Sequence, residues 1–147
     1  MIVEEKRGNI LTSSAQTLVC PVNTVGVMGN GLALYFKLKF PEMFEAYRYA
    51  CAANHFKRKG VFVYDVSPEK KILCFPTKRH WRYNSRIEWI DRGLEVIAEQ
   101  YQDYGITSLA IPPIGCGKGK LEWEQVYNLI KIHLGERIPL PVTVYLP

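Results

Sequence analysis

Two segments of the sequence carry glycines at a spacing suited to binding a phosphate or pyrophosphate. In residues 115–119 glycines alternate with other residues, after an apolar run at 108–114 and before an amphipathic stretch. Residues 23–31 repeat this arrangement after the apolar run 17–22. Glycine permits backbone conformations that leave N–H groups bare, and such groups ahead of a helix N-terminus attract anions. One such loop is also typical of an ordinary turn, but two loops of this kind favour a phosphorylated ligand.

Both loops are predicted at the carboxyl ends of strands, where open α/β sheets bind their ligands. Neither loop matches GxGxxG followed by a ribose-binding acid, and neither matches GxxxxGK[ST]. A dinucleotide-dependent dehydrogenase and a P-loop nucleotidase are therefore both poor fits to this sequence.

Cysteine and histidine spacing gives no support to a disulfide framework or a metal site. The sequence has no CxxC, and its histidines are isolated. The residues concerned are Cys20, Cys51, Cys74, Cys116, His55, His80 and His133. Cys116 lies inside the second glycine segment, but a small loop-packing residue is favoured over a nucleophile there. The sequence therefore predicts free thiols, no metal and no cofactor.

Basic residues exceed acidic ones by 19 to 14, and the net charge of +5 favours polyanionic partners. The excess is concentrated in residues 57–59 and in residues 78–80 with Arg82 and Arg86. A solvated basic face is the commoner explanation for any single run. In the second cluster, however, aromatic residues are interleaved with the charges. These are Trp81, Tyr83 and Trp89. Cations combined with rings are suited to single-stranded nucleic acid, whose phosphates need charge and whose bases stack.

The elements that must position these residues form an α/β pattern, which predicts a three-layer sandwich around a mixed sheet. Strands are predicted over residues 2–10, 17–22, 61–66, 71–75, 107–114 and 142–146, and helices over residues 32–40, 42–53 and 123–134. A further long helix is expected from an N-cap at Ser85, in a capping box with Glu88, to a stop at Gly105. Pro76 is predicted to end the strand before it.

Length and composition predict one domain, 1–147, that buries its core without disulfides or metal. No segment approaches the roughly 20 apolar residues of a membrane span. Glu4 and Glu5 follow the start at once and no apolar region comes next, so no signal peptide is predicted. We therefore expect a cytoplasmic protein that does not act at a membrane.

With both loops placed, the chain resembles a macrodomain, the ADP-ribose-binding module, over essentially all of its length. The motifs that carry the resemblance are residues 22–31, 76–82 and 111–117, in this order. They are similar to the DarG type of macrodomain, the antitoxin of DarT–DarG systems, which removes ADP-ribose from thymidine bases in DNA. The resemblance implies a macrodomain fold, a glycohydrolase activity, a role in DNA repair, and three partners: ADP-ribose, ADP-ribosylated single-stranded DNA and a DarT-type toxin.

The resemblance also implies roles for particular residues. ADP-ribose is expected to contact Asn9, Ile10, Val27, Met28, Gly29, Asn30, Gly31, Thr77, Pro113, Gly115, Cys116, Gly117, Lys118, Gly119 and Tyr145. DNA is expected to contact Arg79, His80, Trp81, Arg82 and Tyr83. From the residues alone, a core position is favoured for Tyr145, and His80 is either a proton donor or, by preference, a surface neighbour.

Asn23 and Lys78 are the residues expected to be catalytic. Asn23 would bond the distal ribose hydroxyls, by donating and accepting. From the residues alone Lys78 is typical of a solvated charge, and the resemblance reverses this interpretation. Its amine would either attack the anomeric carbon to give a ring-opened imine or stay protonated and stabilise the departing thymine. Attack requires a pKa below about 10.4, for which a desolvated position beside Arg79 or Arg82 is expected.

The sequence departs from the family pattern in two places. Many macrodomains have an aspartate where Asn9 stands, so the adenine contact is expected to pass to Asn9 or to the backbone of Ile10. At Gly119 the related terminal ADP-ribose protein glycohydrolase has a catalytic aspartate. Two alternatives stay open beside the DNA activity: release of ADP-ribose from protein glutamate or aspartate, against which Gly119 argues, and ADP-ribose binding without turnover.

DarG-type proteins usually continue into a second, toxin-contacting region, whereas this sequence ends near the edge of the domain. We therefore expect either the macrodomain of a longer protein or a shortened homologue.

Overall fold

The computed structural model describes residues 3–147, and these form a six-stranded mixed sheet with helices on both faces. The strands are β1 (Val3–Arg7), β2 (Thr17–Asn23), β3 (Phe62–Ser67), β4 (Lys70–Lys78), β5 (Leu109–Ile111) and β6 (Val142–Leu146). The helices are α1 (Gly31–Lys39), α2 (Pro41–Ala52), α3 (His55–Lys59), α4 (Ile87–Gln100) and α5 (Trp123–Ile130). A 3₁₀ turn covers Ile10–Thr12, and a π-helical turn, Lys131–Gly135, extends α5.

The strand order is β1-β6-β5-β2-β4-β3, and each pair of neighbours among these described strands is parallel apart from β3 and β4. Parallel neighbours end at the same edge of a sheet, so the loops after β2, β4 and β5 lie side by side. The predicted mixed sheet is confirmed. Ile2, where the first strand was predicted to begin, lies outside the described residues.

Each face of the sheet carries its own apolar core, which confirms the predicted three layers. Alternate residues of β2 point to opposite faces, so Val19 packs in the core beneath α4 and α5 whereas Leu18 and Cys20 pack in the core beneath α1 and α2. The packing of α4 on the sheet is tight: Gly93 of α4 lies against the Phe75 ring of β4, where a Cβ would clash. Both cores therefore fix the carboxyl ends of β2 and β4.

The strand β4 does not end at Pro76, as the sequence predicted, but continues to Lys78. Its pairing with β2 shifts register between Val22 and Asn23, and Pro76 is the partner of Val22 at that point. A proline lacks the N–H that a regular ladder would use, and it is tolerated where the ladder is irregular. The extension makes Lys78 the register partner of Asn23 on the neighbouring strand.

The predicted capping box at Ser85 is wrong. The helix α4 begins at Ile87, its N-cap is Arg86, and Ser85 lies outside the helix. The Ser85 N–H donates to the carbonyl of Gly119 at 3.0 Å, and its Oγ has no hydrogen-bond partner within residues 3–147. Packing against a distant loop has therefore overridden a local capping signal.

Other boundaries differ from the predictions for local reasons. The strand β5 begins at Leu109 and ends at Ile111, and it ends before residue 114 because Pro112 and Pro113, which follow it, cannot donate to a ladder. The short helix α3 was not predicted; it starts after Asn54, which adopts φ 55°. The helix α4 ends at Gln100, before the expected stop at Gly105, and Ile10 belongs to the 3₁₀ turn rather than to the first strand. None of the helices in residues 3–147 has the length and apolar character needed to cross a membrane.

Candidate functional site

A cleft of about 820 Å³, which we call the main cleft, opens at the carboxyl ends of β2, β4 and β5. Its two walls are the first loop, residues 24–30 between β2 and α1, and the second loop, residues 115–119 beyond β5. The floor includes Thr77 and Lys78 from the end of β4. The placement follows from the parallel strand order, which puts the two glycine segments on the same edge of the sheet.

The main cleft contains all of the residues that were expected to contact ADP-ribose, together with both residues expected to be catalytic. They are Asn9, Ile10, Asn23, Val27, Met28, Gly29, Asn30, Gly31, Thr77, Lys78, Pro113, Gly115, Cys116, Gly117, Lys118, Gly119 and Tyr145. Sequence reasoning missed Leu32 and Ala33, which also line it and form the first turn of α1. Both residues directly follow the first loop, and this position could have identified them, because the first N–H groups of a helix have no partner within the helix.

The side chain of Asn23 holds the first loop in shape. Its Nδ2 donates to the carbonyl of Val27 at 2.8 Å, and its Oδ1 accepts from the N–H groups of Val25 at 3.1 Å and Val27 at 3.3 Å. The Tyr47 hydroxyl lies 2.7 Å from the Asn23 carbonyl and 2.8 Å from its Oδ1. Because the amide oxygen is already surrounded by donors, only the second N–H of Asn23 is left for a ligand.

The Tyr47 hydroxyl acts as a donor in this network. Burial is the main cause that raises the pKa of Tyr47, so the phenol keeps its proton at neutral pH. Tyr47 is a fully buried residue of α2, and its ring packs at 6.1 Å from that of Phe56. A rigid helix therefore anchors the strand end from which the first loop departs.

The first loop and the start of α1 leave several backbone N–H groups available. In the described part of the chain, Met28, Gly29, Asn30 and Gly31 donate none of the backbone hydrogen bonds, and the first bond of α1 runs from Leu34 to Asn30 at 3.3 Å. Asn30 makes no side-chain cap. Uncapped N–H groups at a helix N-terminus form an anion site, since the helix dipole is positive there.

The second loop is held by backbone bonds and by close packing. Cys116 donates to Pro113 at 3.1 Å and Leu121 to Gly115 at 2.9 Å. Among residues 3–147 the N–H groups of Gly117, Lys118 and Gly119 make no backbone bond of this kind, so they too are available.

Gly119 has no space for a side chain. A Cβ at this position would lie 2.5 Å from the carbonyl oxygen of Gly115, and it would also collide with Oγ and Cβ of Ser85. The loop carboxylate that the terminal glycohydrolase places here is therefore excluded by packing as well as by sequence. Among the described residues no aspartate or glutamate lines the main cleft, whose charged residues are Lys78 and Lys118.

Lys78 is half-buried at the end of β4, and its Nζ lies 3.4 Å from the carbonyl of Trp81. Burial is the main cause that lowers the pKa of Lys78, and the charges of Lys118 and Lys120 lower it further. The expectation that Arg79 or Arg82 would supply this charge is wrong: the cations concerned are Lys118 in the second loop and Lys120 directly after it. Burial at the end of β4 and, to a smaller extent, positive charge at the second loop therefore both lower the pKa of this amine.

Two other candidate groups are less suited to chemistry. Burial raises the pKa of the Cys116 thiol to about 11, with a contribution from Glu122, so this thiol is protonated and a weak nucleophile at neutral pH. His80 lines neither the main cleft nor the second cavity described below, within residues 3–147, and its Nδ1 accepts the Arg82 N–H at 3.1 Å.

Tyr145 and Asn9 occupy the far end of the main cleft. Tyr145 lies on β6 and is half-buried, so it both lines the cleft and packs against the core beneath α1 and α2. Asn9 caps the 3₁₀ turn by accepting the Leu11 N–H at 3.0 Å. One lone pair of its amide oxygen is left, and its amide N–H groups remain free to donate.

Residues 80–83 form a compact stack at the rim. The guanidinium of Arg82 lies 4.8 Å from the Trp81 ring centroid, and the His80 ring lies 5.0 Å from Trp81 and 5.3 Å from Tyr83. Trp81 is 46% exposed and lines the main cleft, so it is the member placed to meet a ligand that leaves the cleft. A stacked base would have to displace Arg82 or His80.

Arg79 extends away from the main cleft into a second cavity of about 410 Å³. Its guanidinium lies 5.1 Å from the centroid of the Trp89 ring, and its carbonyl accepts a bond from the Thr24 hydroxyl at 3.1 Å. Lys78 lines both cavities. No group of three or more histidine, cysteine, aspartate or glutamate side chains in residues 3–147 is arranged to hold a metal ion.

Known proteins resemble this chain in both sequence and fold. The chain is 42% identical to a curated DNA ADP-ribosyl glycohydrolase of Thermus aquaticus over 144 residues, which cover 96% of this chain and 40% of that protein. The solved macrodomain of Thermus aquaticus DarG superposes with a TM-score of 0.92 at 40% identity and covers 99% of each chain. A Thermosipho africanus DarTG structure in complex with ADP-ribose gives a TM-score of 0.89 at 38% identity, covering 98% of this chain and 42% of that one.

The chain spans about two fifths of the length of the curated Thermus aquaticus relative. The family model for the macro domain matches residues 19–130, which include both loops, the end of β4 and most of the two cores. The fold, the facing glycine loops and these similarities lead to one conclusion: the chain belongs to the macro domain family.

Proposed function

We propose that this protein is a hydrolase that removes ADP-ribose from thymidine bases of single-stranded DNA. The observation that carries the proposal is the position of Lys78. It stands beside Asn23 at the strand ends, between two loops with free amides, and it begins the basic aromatic segment 78–83. A similar relative is named DNA ADP-ribosyl glycohydrolase. The same reaction would make the protein the antitoxin of a DarT-type toxin and a DNA-repair enzyme.

In this proposal the diphosphate of ADP-ribose lies between the first and second loops. Free amides of residues 28–31 and 117–119 donate to its oxygens, and the N-terminus of α1 adds its positive dipole. Tyr145 and Asn9 lie at the end of the cleft assigned to adenine. Asn23 donates its remaining N–H to the distal ribose, which places the anomeric carbon towards Lys78.

Two routes for Lys78 are compatible with this geometry. In the first, the neutral amine bonds to the anomeric carbon as the bond to thymine breaks, and thymine leaves with the electron pair and takes up a proton. The bond from the anomeric carbon to the ring oxygen then breaks, the oxygen takes up the proton that the nitrogen loses, and the resulting imine is hydrolysed by water to ADP-ribose and free lysine. In the second, the ammonium stabilises the negative charge on thymine as the glycosidic bond breaks, and water adds to the anomeric carbon. Both routes convert ADP-ribosyl-thymidine and water into ADP-ribose and thymidine.

The DNA strand would leave the cleft along residues 79–83, where Trp81 is exposed beside Lys78 and Arg79, His80, Arg82 and Tyr83 follow. The proposed function also places the protein in the cytoplasm, because a DNA substrate and a toxin partner would be encountered inside the cell. No cofactor is required for the reaction written above.

The proposal is tested with an ADP-ribosylated single-stranded oligonucleotide. The wild type is expected to release ADP-ribose, and Lys78→Ala to lower the rate at least about a hundredfold because the group that acts at the anomeric carbon is lost. Calorimetry should show that Lys78→Ala still binds free ADP-ribose, since the loop amides remain. Equal release by both proteins, or none by the wild type, would contradict the proposal.

Two comparisons in the same assay decide between the routes and the alternatives. Lys78→Arg keeps a positive charge but offers no nucleophile, so it retains activity only on the second route. Faster release from a modified acidic protein than from modified DNA would instead indicate an aspartate or glutamate hydrolase. ADP-ribose binding without release from either conjugate would indicate a binding module.

A further inference from the structure

The second cavity brings together two basic clusters that are separate in the sequence. Lys57 comes from α3, in the cluster 57–59, whereas Lys78 and Arg79 come from the end of β4 and the segment after it. Arg92 of α4 joins them, although no sequence pattern singled it out. The four cations come from α3, from β4 with the residue after it and from α4, so only the fold makes them neighbours.

The cavity is cationic and its charges are not neutralised. No aspartate or glutamate lines it in the described chain, and none of its four cations takes part in an ion pair within residues 3–147. Like charges that converge without a counter-ion raise the electrostatic free energy of the folded protein. The arrangement therefore favours a polyanion as the occupant.

The walls hold these groups in place and add a ring. The Arg92 guanidinium donates to the carbonyl of Lys57 at 3.4 Å, which links α4 to α3. Thr24 of the first loop donates to the carbonyl of Arg79 at 3.1 Å. The Trp89 ring lies beneath the Arg79 guanidinium and lines the same cavity. Cations beside an aromatic face are suited to a phosphate with its attached base.

We infer that the second cavity binds the phosphodiester backbone of the DNA strand next to the modified thymidine, an inference that rests on the proposed function. The two cavities share Lys78, where the glycosidic bond would lie, so a strand can pass from the scissile thymidine at Lys78 to Lys57 and Arg92. This extends the DNA contact beyond residues 79–83 to α3 and α4. It also gives the protein a preference for ADP-ribose on a polynucleotide over ADP-ribose on a single nucleoside.

The test compares Lys57→Gln and Arg92→Gln with Lys59→Gln. Lys59 belongs to the same basic cluster and carries the same charge, but among the described residues it lines neither cavity, so it controls for net charge. Three experiments are needed. They measure the affinity for unmodified single-stranded DNA as a function of salt, KM and kcat on a modified oligonucleotide, and the affinity for free ADP-ribose.

Lys57→Gln and Arg92→Gln are each expected to weaken DNA binding and raise KM roughly three- to tenfold, with kcat unchanged. Each lost phosphate contact should flatten the salt slope by about 0.7. Free ADP-ribose binding should not change, and Lys59→Gln should behave as the wild type. Arg92→Lys should recover most of the DNA affinity, because it keeps the charge.

Equal effects of Lys57→Gln and Lys59→Gln would overturn the inference, since charge anywhere in the cluster would then suffice. Competition of inorganic phosphate with DNA at equal phosphate concentration would also overturn it in favour of a small-anion site. If the wild type releases no ADP-ribose from modified DNA but Lys57→Gln still loses DNA affinity selectively, the proposed function fails while the DNA groove stands.

Discussion

The first and second loops face each other across one cleft, yet they are held by different means. The first loop is held by the side chain of Asn23, which forms hydrogen bonds with Val25, Val27 and the buried Tyr47 hydroxyl. The second loop relies on glycines that allow its backbone to lie against Ser85 and to approach itself closely. Hydrogen bonds from one side chain therefore hold one wall of the site, whereas the other wall depends on glycines, which leave room for close backbone packing.

The loops also differ in charge. Residues 24–30 contain no charged residue, whereas Lys118 and Lys120 lie on or beside the second loop and lower the pKa of Lys78. The first loop thus offers backbone amides alone, whereas the second offers amides together with nearby charge that acts on the Lys78 amine. The comparison predicts that removing a polar contact weakens the first loop, whereas adding side-chain volume weakens the second. It also predicts that removing a charge on or beside the second loop alters the pH profile.

The largest effect is expected from adding volume to the second loop. Gly119→Ala should lower the free energy of unfolding by about 1–3 kcal/mol and weaken ADP-ribose binding, because the new Cβ collides with the Gly115 carbonyl and with Ser85. Gly117→Ala is the matched control for stability, since within the described residues nothing lies within 4 Å of a Cβ there. Chemical denaturation of both variants measures the difference, and similar values would mean that the loop tolerates volume.

A smaller effect is expected from removing the hydroxyl that supports the first loop. Tyr47→Phe should cost about 1–1.5 kcal/mol of stability, because Asn23 loses the phenol donor in a buried setting. ADP-ribose affinity should fall as well, since Asn23 then holds the loop less firmly. Tyr49→Phe on the same helix is the control, because Tyr49 is 79% exposed. Equal melting curves for the two variants would show that the hydroxyl does not support the loop.

The smallest effect is expected from Lys120→Gln, which removes a charge without changing the backbone. Lys120 lowers the pKa of Lys78 in the wild type, so its loss should raise that pKa and move the pH–rate profile to higher pH. If the neutral amine attacks, the rate rises as pH increases through the lowered pKa of Lys78. If the ammonium acts, the rate falls over the same interval. A profile identical to that of the wild type would contradict the assignment of Lys120 as a source of the field.

Much of the site could be predicted because its signals are local. An apolar run followed by spaced glycines and an amphipathic stretch indicates a strand, a loop and a helix, and both instances were found with small boundary errors. Ser85 and Pro76 show where local signals fail. Ser85 matches a capping box but packs against Gly119, and Pro76 normally ends a strand but here occupies a shift in register. In both cases contacts with residues far along the chain outweighed the local preference.

The sequence by itself determined the α/β pattern, the two glycine loops and the presence of Lys78 in a basic aromatic segment, because backbone preference and hydrophobic period depend on neighbouring residues. Only the tertiary structure decided that β2 lies between β5 and β4, which makes the loops face each other and pairs Lys78 with Asn23. It also placed Lys118 and Lys120 where their charges lower the pKa of Lys78, and it brought Lys57 and Arg92 together beside Arg79. Such contacts join residues distant in sequence, so they exist only when both cores have packed and the strand order is fixed.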